Sequence, residues 1–249
     1  MRRHILSKWA KTQALLPYAS IRRYIPKTMV MNKENVFQML QEYSMVYIKP
    51  DIGTFGKGVM KVEHKSLHHK DGFRYQLGVK KETFEHFDVM YDSILRKTQN
   101  QTYIVQKGIH LSKYLGLPYD LRVMVQKSPS HEWETTGIIG RVAHPRKIVT
   151  NFHSGGTLVP MERLLSHRLL PDRKHVFVQR IDKLGEQIAT TLSKKYPGIR
   201  EIGIDLGIDR KLKPWIIEIN TLPDPYIFKK LNHKAIYAKI IRYNRLNKR

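Results

Sequence analysis

Two apolar stretches near the C-terminus each carry one carboxylate where a strand would otherwise be buried. Asp205 interrupts Ile202-Gly203-Ile204-Asp205-Leu206, and Glu218 interrupts Trp215-Ile216-Ile217-Glu218-Ile219-Asn220. Alternate residues of a strand project to one face. Glu218 and Asn220 therefore share a face, with Ile217 and Ile219 expected behind them. The turn Gly207–Lys211 would fold the two strands together and set Asp205 beside Glu218. Carboxylates taken out of water need a cation. The oxygen donors Asp205, Glu218 and Asn220 suit Mg²⁺, with Mn²⁺ as the substitute ion, completed by phosphate and water. The alternative is a hairpin whose solvent face is polar.

The second informative stretch is Tyr47-Ile48-Lys49-Pro50-Asp51-Ile52-Gly53-Thr54-Phe55-Gly56-Lys57-Gly58-Val59. A lysine ends a buried strand, and a glycine-rich loop follows. Glycines let backbone N–H groups approach phosphate oxygens, and Lys49 supplies a point charge. The GxxxxGK[ST] pattern is absent, and no long helix directly follows the loop, so neither a P-loop nor a Rossmann turn fits. A plain hairpin turn is the competing reading. Arg122 in Asp120-Leu121-Arg122-Val123-Met124-Val125 and Arg141 in Ile138-Ile139-Gly140-Arg141-Val142 interrupt two further apolar runs. Arginines so placed clamp a phosphoryl group, or form a structural ion pair such as Arg122 with Asp120 or Glu134.

The periodicities predict helices over 4–16, 35–43, 83–98, 172–196 and 226–246. They predict strands over 45–48, 59–62, 102–106, 121–126, 134–142, 148–152, 201–208 and 214–220. Helices and strands intermix, with most strands adjacent in sequence. The expected class is α+β: two lobes of mainly antiparallel sheet backed by helices. Asn32 or Asn35 is the expected cap of the second helix. His64, His68 and His69 lie close together, but with no carboxylate to complete a Zn²⁺ set they read as a solvated loop.

With 249 residues and 41% apolar content the chain can bury real cores. It has no cysteine, which excludes a disulfide scaffold, a thiolate metal site and a cysteine nucleophile. No apolar run approaches the ~20 residues that span a bilayer. Lys8 and Lys11 interrupt any signal-peptide core, so the cytoplasm is the expected location. The net charge of +24 is concentrated at the ends: no acidic residue precedes Glu34 and none follows Asp224. Such a surface attracts polyanions, whether nucleic acid, anionic lipid or an acidic polymer. No nucleic-acid motif accompanies it.

Taken in order, Ser7-Lys8-Trp9, Ile25-Pro26-Lys27-Thr28, Tyr47 to Val59, Tyr103-Ile104-Val105-Gln106, Asp120-Leu121-Arg122, Arg141, Asn151 with Gly155-Gly156, Asp205 and Glu218-Ile219-Asn220 resemble the ATP-grasp superfamily. The likeness covers almost the whole chain and lies nearest to the YheC/YheD endospore coat-associated family, more distantly to RimK-type glutamate ligases and D-alanine–D-alanine ligases. It implies an ATP-grasp fold over residues 1–249, with a first lobe at about 1–104, a second at about 105–228, a basic helix at about 226–246 and nucleotide held between the lobes. Lys8 and Lys49 would be the nucleotide-contacting lysines. Gly53, Thr54, Phe55, Gly56, Lys57 and Gly58 would form the loop over the phosphates. Gln106, Lys107, Gly108 and Ile109 would form the hinge that reads adenine. Asp205, Glu218 and Asn220 would hold Mg²⁺. Arg141, and secondarily Arg122, would face the transferred phosphoryl group with Lys49.

The resemblance further implies ATP-dependent carboxylate–amine ligation through an acyl-phosphate, with an unidentified carboxylate and amine, an acidic polymer or protein among the candidates. Its alternatives are a non-catalytic spore-coat protein of the same fold and a basic polyanion binder. Spore association and coat components as partners follow from the resemblance alone. The chain departs from the pattern at Lys107, where related ligases carry an acid. An N-terminal substrate-binding domain of the kind found in ATP-grasp ligases is expected to be absent.

Overall fold

The computed structural model describes residues 3–67, 70–166, 168–230 and 233–248. Within them the chain forms two six-stranded antiparallel sheets with helices packed against them. The first sheet contains β1 (Thr28–Val30), β2 (Met45–Pro50), β3 (Met60–Leu67), β4 (Lys70–Leu77), β5 (Lys80–Phe84) and β6 (Tyr103–Lys107), in the order β1-β6-β2-β3-β4-β5. The second contains β8 (Leu117–Lys127), β9 (Trp133–Val142), β10 (Thr157–Pro160), β11 (Glu201–Ile208) and β12 (Pro214–Asn220). Their order is β10-β9-β8-β11-β12, and the two-residue β7 (Lys113–Tyr114) is attached to β8. The helices are α1 (Lys8–Leu15), α2 (Ala19–Arg22), α3 (Lys33–Tyr43), α4 (Phe87–Thr98), α5 (Met161–Leu165), α6 (Pro171–Lys195) and α7 (Lys234–Leu246).

Each sheet is two-sided because its strands alternate. In β2, Val46 and Ile48 enter the first core while Tyr47 and Lys49 face the other way. In β6, Tyr103 and Val105 join that core, with Ile104 and Gln106 opposite. α3 and α4 cover the core side with Val36, Met39, Leu40, Met90 and Ile94. Asn32 caps α3, its Oδ1 accepting the Asn35 N–H at 2.7 Å, which satisfies one of the donors a helix start leaves open. In the second sheet Tyr119, Leu121, Val123 and Val125 of β8 and Ile202, Ile204, Leu206 and Ile208 of β11 form one core beneath α6. Pro171 opens α6 at a position where a missing N–H costs nothing.

Several expected boundaries moved. The helix expected from Thr83 begins at Phe87, because Thr83 and Phe84 complete β5 against Arg74 and Phe73. The strand expected over 148–152 is not formed. The chain there doubles back so tightly that a Cβ on Gly156 would lie 2.4 Å from the Thr150 carbonyl, and β10 takes the place beside β9. The expected helix over 226–246 is a 3-10 turn, Tyr226–Lys230, followed by α7. His64 stacks on Phe73 within β3 rather than lying in a loop, while His68 and His69 fall outside the described residues. Leu15, Ile21 and Tyr24 belong to the second core, and β6 as far as Lys107 to the first sheet.

Burial in the central strand β11 sets the stability of the second lobe. Ile204 is fully buried between β8 and β12, so Ile204→Ala should cost about 2–5 kcal/mol. Val79→Ala, at a position 55% exposed, should stay within about 0.5 kcal/mol. Urea denaturation of the two variants checks the contrast.

Candidate functional site

The open faces of the two sheets border a cleft that is open to solvent. The first sheet contributes Tyr47, Lys49 and Gln106, and the second contributes Asp120, Arg141, Asp205 and Glu218. Of the residues singled out from sequence, Lys8, Lys49, Gly53, Thr54, Gly56, Lys57, Gln106, Lys107, Ile109, Arg141, Asp205 and Glu218 all line it. Phe55, Gly58, Gly108, Arg122 and Asn220 do not. Phe55 and Gly58 shape the loop from outside, with φ of 58° and 73°. Gly58 is required there because a Cβ would also meet the Tyr103 hydroxyl at 2.8 Å.

Lys49 is buried. Its Nζ donates to Gln106 Oε1 at 2.5 Å, and Gln106 Nε2 in turn donates to Thr28 Oγ1 at 3.0 Å. Burial pulls the Lys49 ammonium down to about 8, opposed by Glu218 and Asp205 and reinforced by Lys8. Lys8 stands at the start of α1. Its Nζ donates to the Pro50 and Gly53 carbonyls, both at 3.0 Å, and lies 3.8 Å from Glu218. Asp51 fixes that helix to the loop, accepting from Ser7 Oγ at 3.0 Å and from Trp9 N–H at 2.7 Å. The glycine loop also touches the opposite lobe: Ser154 Oγ donates to the Phe55 carbonyl at 3.1 Å, and Val149 packs on Gly56.

A chain of buried charges crosses the second sheet. Arg141 donates to both oxygens of Asp120, at 2.8 and 2.6 Å, and reaches Asp205 Oδ2 at 2.8 Å. Arg122 donates to Asp205 Oδ1 at 2.5 Å. Thr150 Oγ1 donates to Asp120 Oδ2 at 2.5 Å. Burial alone would raise the Asp205 carboxyl, but the two guanidiniums outweigh it and hold the group below the usual carboxylate range. The ion pair expected for Arg122 is thus made with Asp205, not with Asp120 or Glu134.

The three expected metal-binding residues are not equivalent. Asp205 and Glu218 are direct cross-strand neighbours, and both line the cleft. Asn220 lies one pleat further, opposite Gly203. A bulge between Asp205 and Leu206 breaks the alternation of β12. As a result Ile216 and Ile219 join the core, while Ile217 turns toward the cleft beside Glu218 instead of packing behind it. Among the described residues no group of three His, Cys, Asp or Glu side chains converges on one point. Two carboxylates fit an ion that keeps phosphate and water in its shell.

At the end of β6, Lys107 N–H donates to the Lys27 carbonyl at 2.8 Å and Gly108 N–H to the Met45 carbonyl at 2.9 Å. The Lys107 ammonium rests 4.4 Å from the Tyr43 ring centroid and 5.8 Å from that of Trp215. Sequence reasoning left out Tyr47, Asp120, Thr150 and Ile217. Strand alternation would have placed Tyr47 with Lys49 and Asp120 with Arg122. Nothing local marked Thr150 or the bulged Ile217.

A family model described as YheC/D like ATP-grasp matches residues 1–246. Two curated relatives are the endospore coat-associated proteins YheD and YheC of Bacillus subtilis (strain 168). They are 24% identical over 229 residues and 22% identical over 226 residues, each match taking in 89% of this chain. The chain spans 49% and 61% of their lengths. Among solved structures, N5-carboxyaminoimidazole synthase from Aspergillus clavatus, crystallised with ADP and 5-aminoimidazole ribonucleotide, superposes with a TM-score of 0.58. The identity is 10%, covering 96% of this chain and 51% of that one. D-cycloserine synthetase DcsG gives a TM-score of 0.57 at 11% identity, covering 97% of this chain and 70% of that one. At such identities the likeness speaks for the fold. No helix among the described residues is long and apolar enough to cross a membrane.

Asp120→Ala should destabilise the protein by about 3 kcal/mol or more, since it strips a buried guanidinium of its bidentate partner; urea denaturation reads this. Lys49 and Lys11 are both lowered by burial from 10.5 to about 8. Between those values the unfolded chain binds more protons than the folded one, so stability should rise as pH increases from about 8 toward 10. Above 10 the half-buried Tyr47 phenol, pushed up to about 12, acts in the opposite sense. Thermal unfolding at graded pH should show the rise, and Lys49→Met should reduce it to the part that Lys11 supplies.

Proposed function

The chain belongs to the YheC/D-like ATP-grasp family, and from that premise we propose that it binds Mg-ATP in the inter-sheet cleft and activates a carboxylate for ligation to an amine. The observation that carries this reading is the convergence of Lys8, Lys49, Arg141, Asp205 and Glu218 on one cleft, from elements scattered between residues 8 and 218. Asp205 and Glu218, with the Asn220 amide next along the strand, would hold the metal ion, which when bound supplies charge neutralisation between the phosphates. The glycine loop, already in contact with the opposite lobe at Ser154, covers the phosphates and excludes water. The backbone at Lys107 to Ile109 borders the adenine end.

The residues then divide the work. Lys49 and Lys8 offer ammonium charge to the phosphates. Arg141, fixed on two sides by Asp120 and Asp205, offers its remaining N–H groups to the transferred phosphoryl group without needing to reorganise. A substrate carboxylate oxygen bonds to the γ-phosphorus as the bond to the β–γ bridging oxygen breaks, and that electron pair leaves with ADP. The amine then attacks the acyl carbon, gives up a proton, and phosphate departs. No side-chain nucleophile is required. This reading is supported by the ADP with which the Aspergillus synthase was crystallised and by the synthase and synthetase names of the structural neighbours.

A second reading is favoured by the names of the curated relatives: a spore-coat component that binds nucleotide without turning it over. ADP release in the presence of candidate carboxylates and amines separates the two.

Calorimetry with a non-hydrolysable ATP analogue tests the site. Wild type should bind only with Mg²⁺ present, and Glu218→Ala should lose at least about tenfold in affinity. Absence of binding at millimolar analogue would remove the nucleotide reading. Because an anion beside Lys49 restores its proton, binding near pH 8.5 should take up protons, seen as a dependence of the heat on buffer ionisation enthalpy. Lys49→Met should abolish that dependence.

A further inference from the structure

The sheet face that forms the cleft continues beyond it. Past Arg122, Met124 and Gln126 of β8 lie on the same side, beneath the turn Tyr226–Lys230 and α7. Phe228 and Ile240 pack on Met124 and Ile139, Gln126 Nε2 donates to the Ile240 carbonyl at 3.2 Å, and Asn244 donates to buried Glu201 at 3.0 Å. This turn and helix therefore wall off the part of the sheet face that lies beyond the cleft, supplying none of the cleft's own lining. Lys230 stands 5.0 Å from the Phe152 ring centroid, one residue beyond the cleft-lining Asn151.

The outer side of that wall is basic. Lys229, Lys230, Lys234, Arg242, Arg245 and Lys248 are exposed. The last acidic residue of the chain, Asp224, is spent within the preceding loop, its Oδ1 accepting the Tyr226 N–H at 2.8 Å. A helix of 13 residues extends the surface by ~20 Å, enough for several residues of an extended chain.

We propose that the Tyr226–Lys230 turn and α7 form a track for an acidic polypeptide, held so that one of its carboxyl groups enters the cleft beside Asn151 and Glu218. The proposal rests on the ligase reading and names its carboxylate donor. The approach of Lys230 to Phe152, next in the chain to the cleft-lining Asn151, argues for a substrate rather than an unrelated partner. Surfaces that hold single-stranded nucleic acid interleave cations with exposed aromatic rings. Along the track, Tyr226 is the exposed aromatic among the described residues, and Tyr243 is buried underneath. A membrane would need the apolar side of α7, but Ile240 and Tyr243 turn it into the core.

The test is fluorescence anisotropy of a labelled oligo-glutamate with the full chain, beside an oligo-glutamine and an oligouridylate of matched length. The oligo-glutamate should bind, weaken as salt rises from ~50 to ~200 mM, and bind about tenfold more weakly to a Lys229→Glu/Lys230→Glu/Lys234→Glu variant. A Lys80→Glu/Lys81→Glu variant, at exposed positions on β5 of the other sheet, should bind it like wild type. Equal loss in both variants, tighter binding of the oligouridylate, or no oligo-glutamate binding at all would each overturn the track. ATP-analogue calorimetry on the triple variant, whose substitutions lie outside the cleft lining, should match wild type. If no analogue binds to wild type while the peptide pattern holds, the ligase reading falls and the track remains as a binding surface.

Discussion

The buried chain of charges running from Asp120 through Arg141 and Asp205 to Arg122 governs the second sheet. Each of these side chains is at least nine-tenths buried, and each would be prohibitive alone. Their cross-strand register makes them tolerable together: Asp205 lies opposite Arg122, and Asp120 opposite Arg141. Each guanidinium meets carboxylate oxygens in fork geometry, which favours arginine over lysine at these positions. The arrangement is specific in register, because a one-residue slip would turn every charge into the aliphatic core beneath α6. Structural cohesion and chemical readiness thus come from the same side chains. Asp205 is kept ionised and Arg141 is kept still.

The first lobe answers with lysines rather than arginines. Lys49 is dry, partnered by the Gln106 amide oxygen rather than by a carboxylate at bonding distance, and its ammonium is correspondingly weakened. An anionic ligand entering the cleft would supply the counter-charge this group lacks. Lys8 serves differently. Through the Pro50 and Gly53 carbonyls it ties the root of the glycine loop to α1, a helix whose Leu15 belongs to the second core. The N-terminal helix therefore joins the lobes at the root of the glycine loop.

Lys107 rests on Tyr43 and near Trp215, so this end of the cleft is cationic. The acids lining the cleft, Asp120, Asp205 and Glu218, lie on the second sheet. The cleft is thus asymmetric in charge: cations on the first sheet and loop, carboxylates interleaved with arginine on the second.

Much of this was legible in the sequence, because strand alternation is a local property. A lone carboxylate or lysine in an apolar run must face away from the core, which placed Lys49, Arg141, Asp205 and Glu218 on open faces from the residues alone. The long helix ending at Pro197-Gly198 and the sheet-rich α+β class followed from the same periodicity. What the sequence could not determine depends on pairing between distant segments. Which carboxylate meets which arginine is fixed by the β8–β9 and β8–β11 registers. Ile217 faces the cleft because of a bulge that no residue announces. The 148–152 segment carries β-branched residues, yet it is not a strand, because the place beside β9 is filled by β10. Local propensity proposes such elements; competition for sheet edges and for burial decides among them, and that competition exists only once the chain is folded.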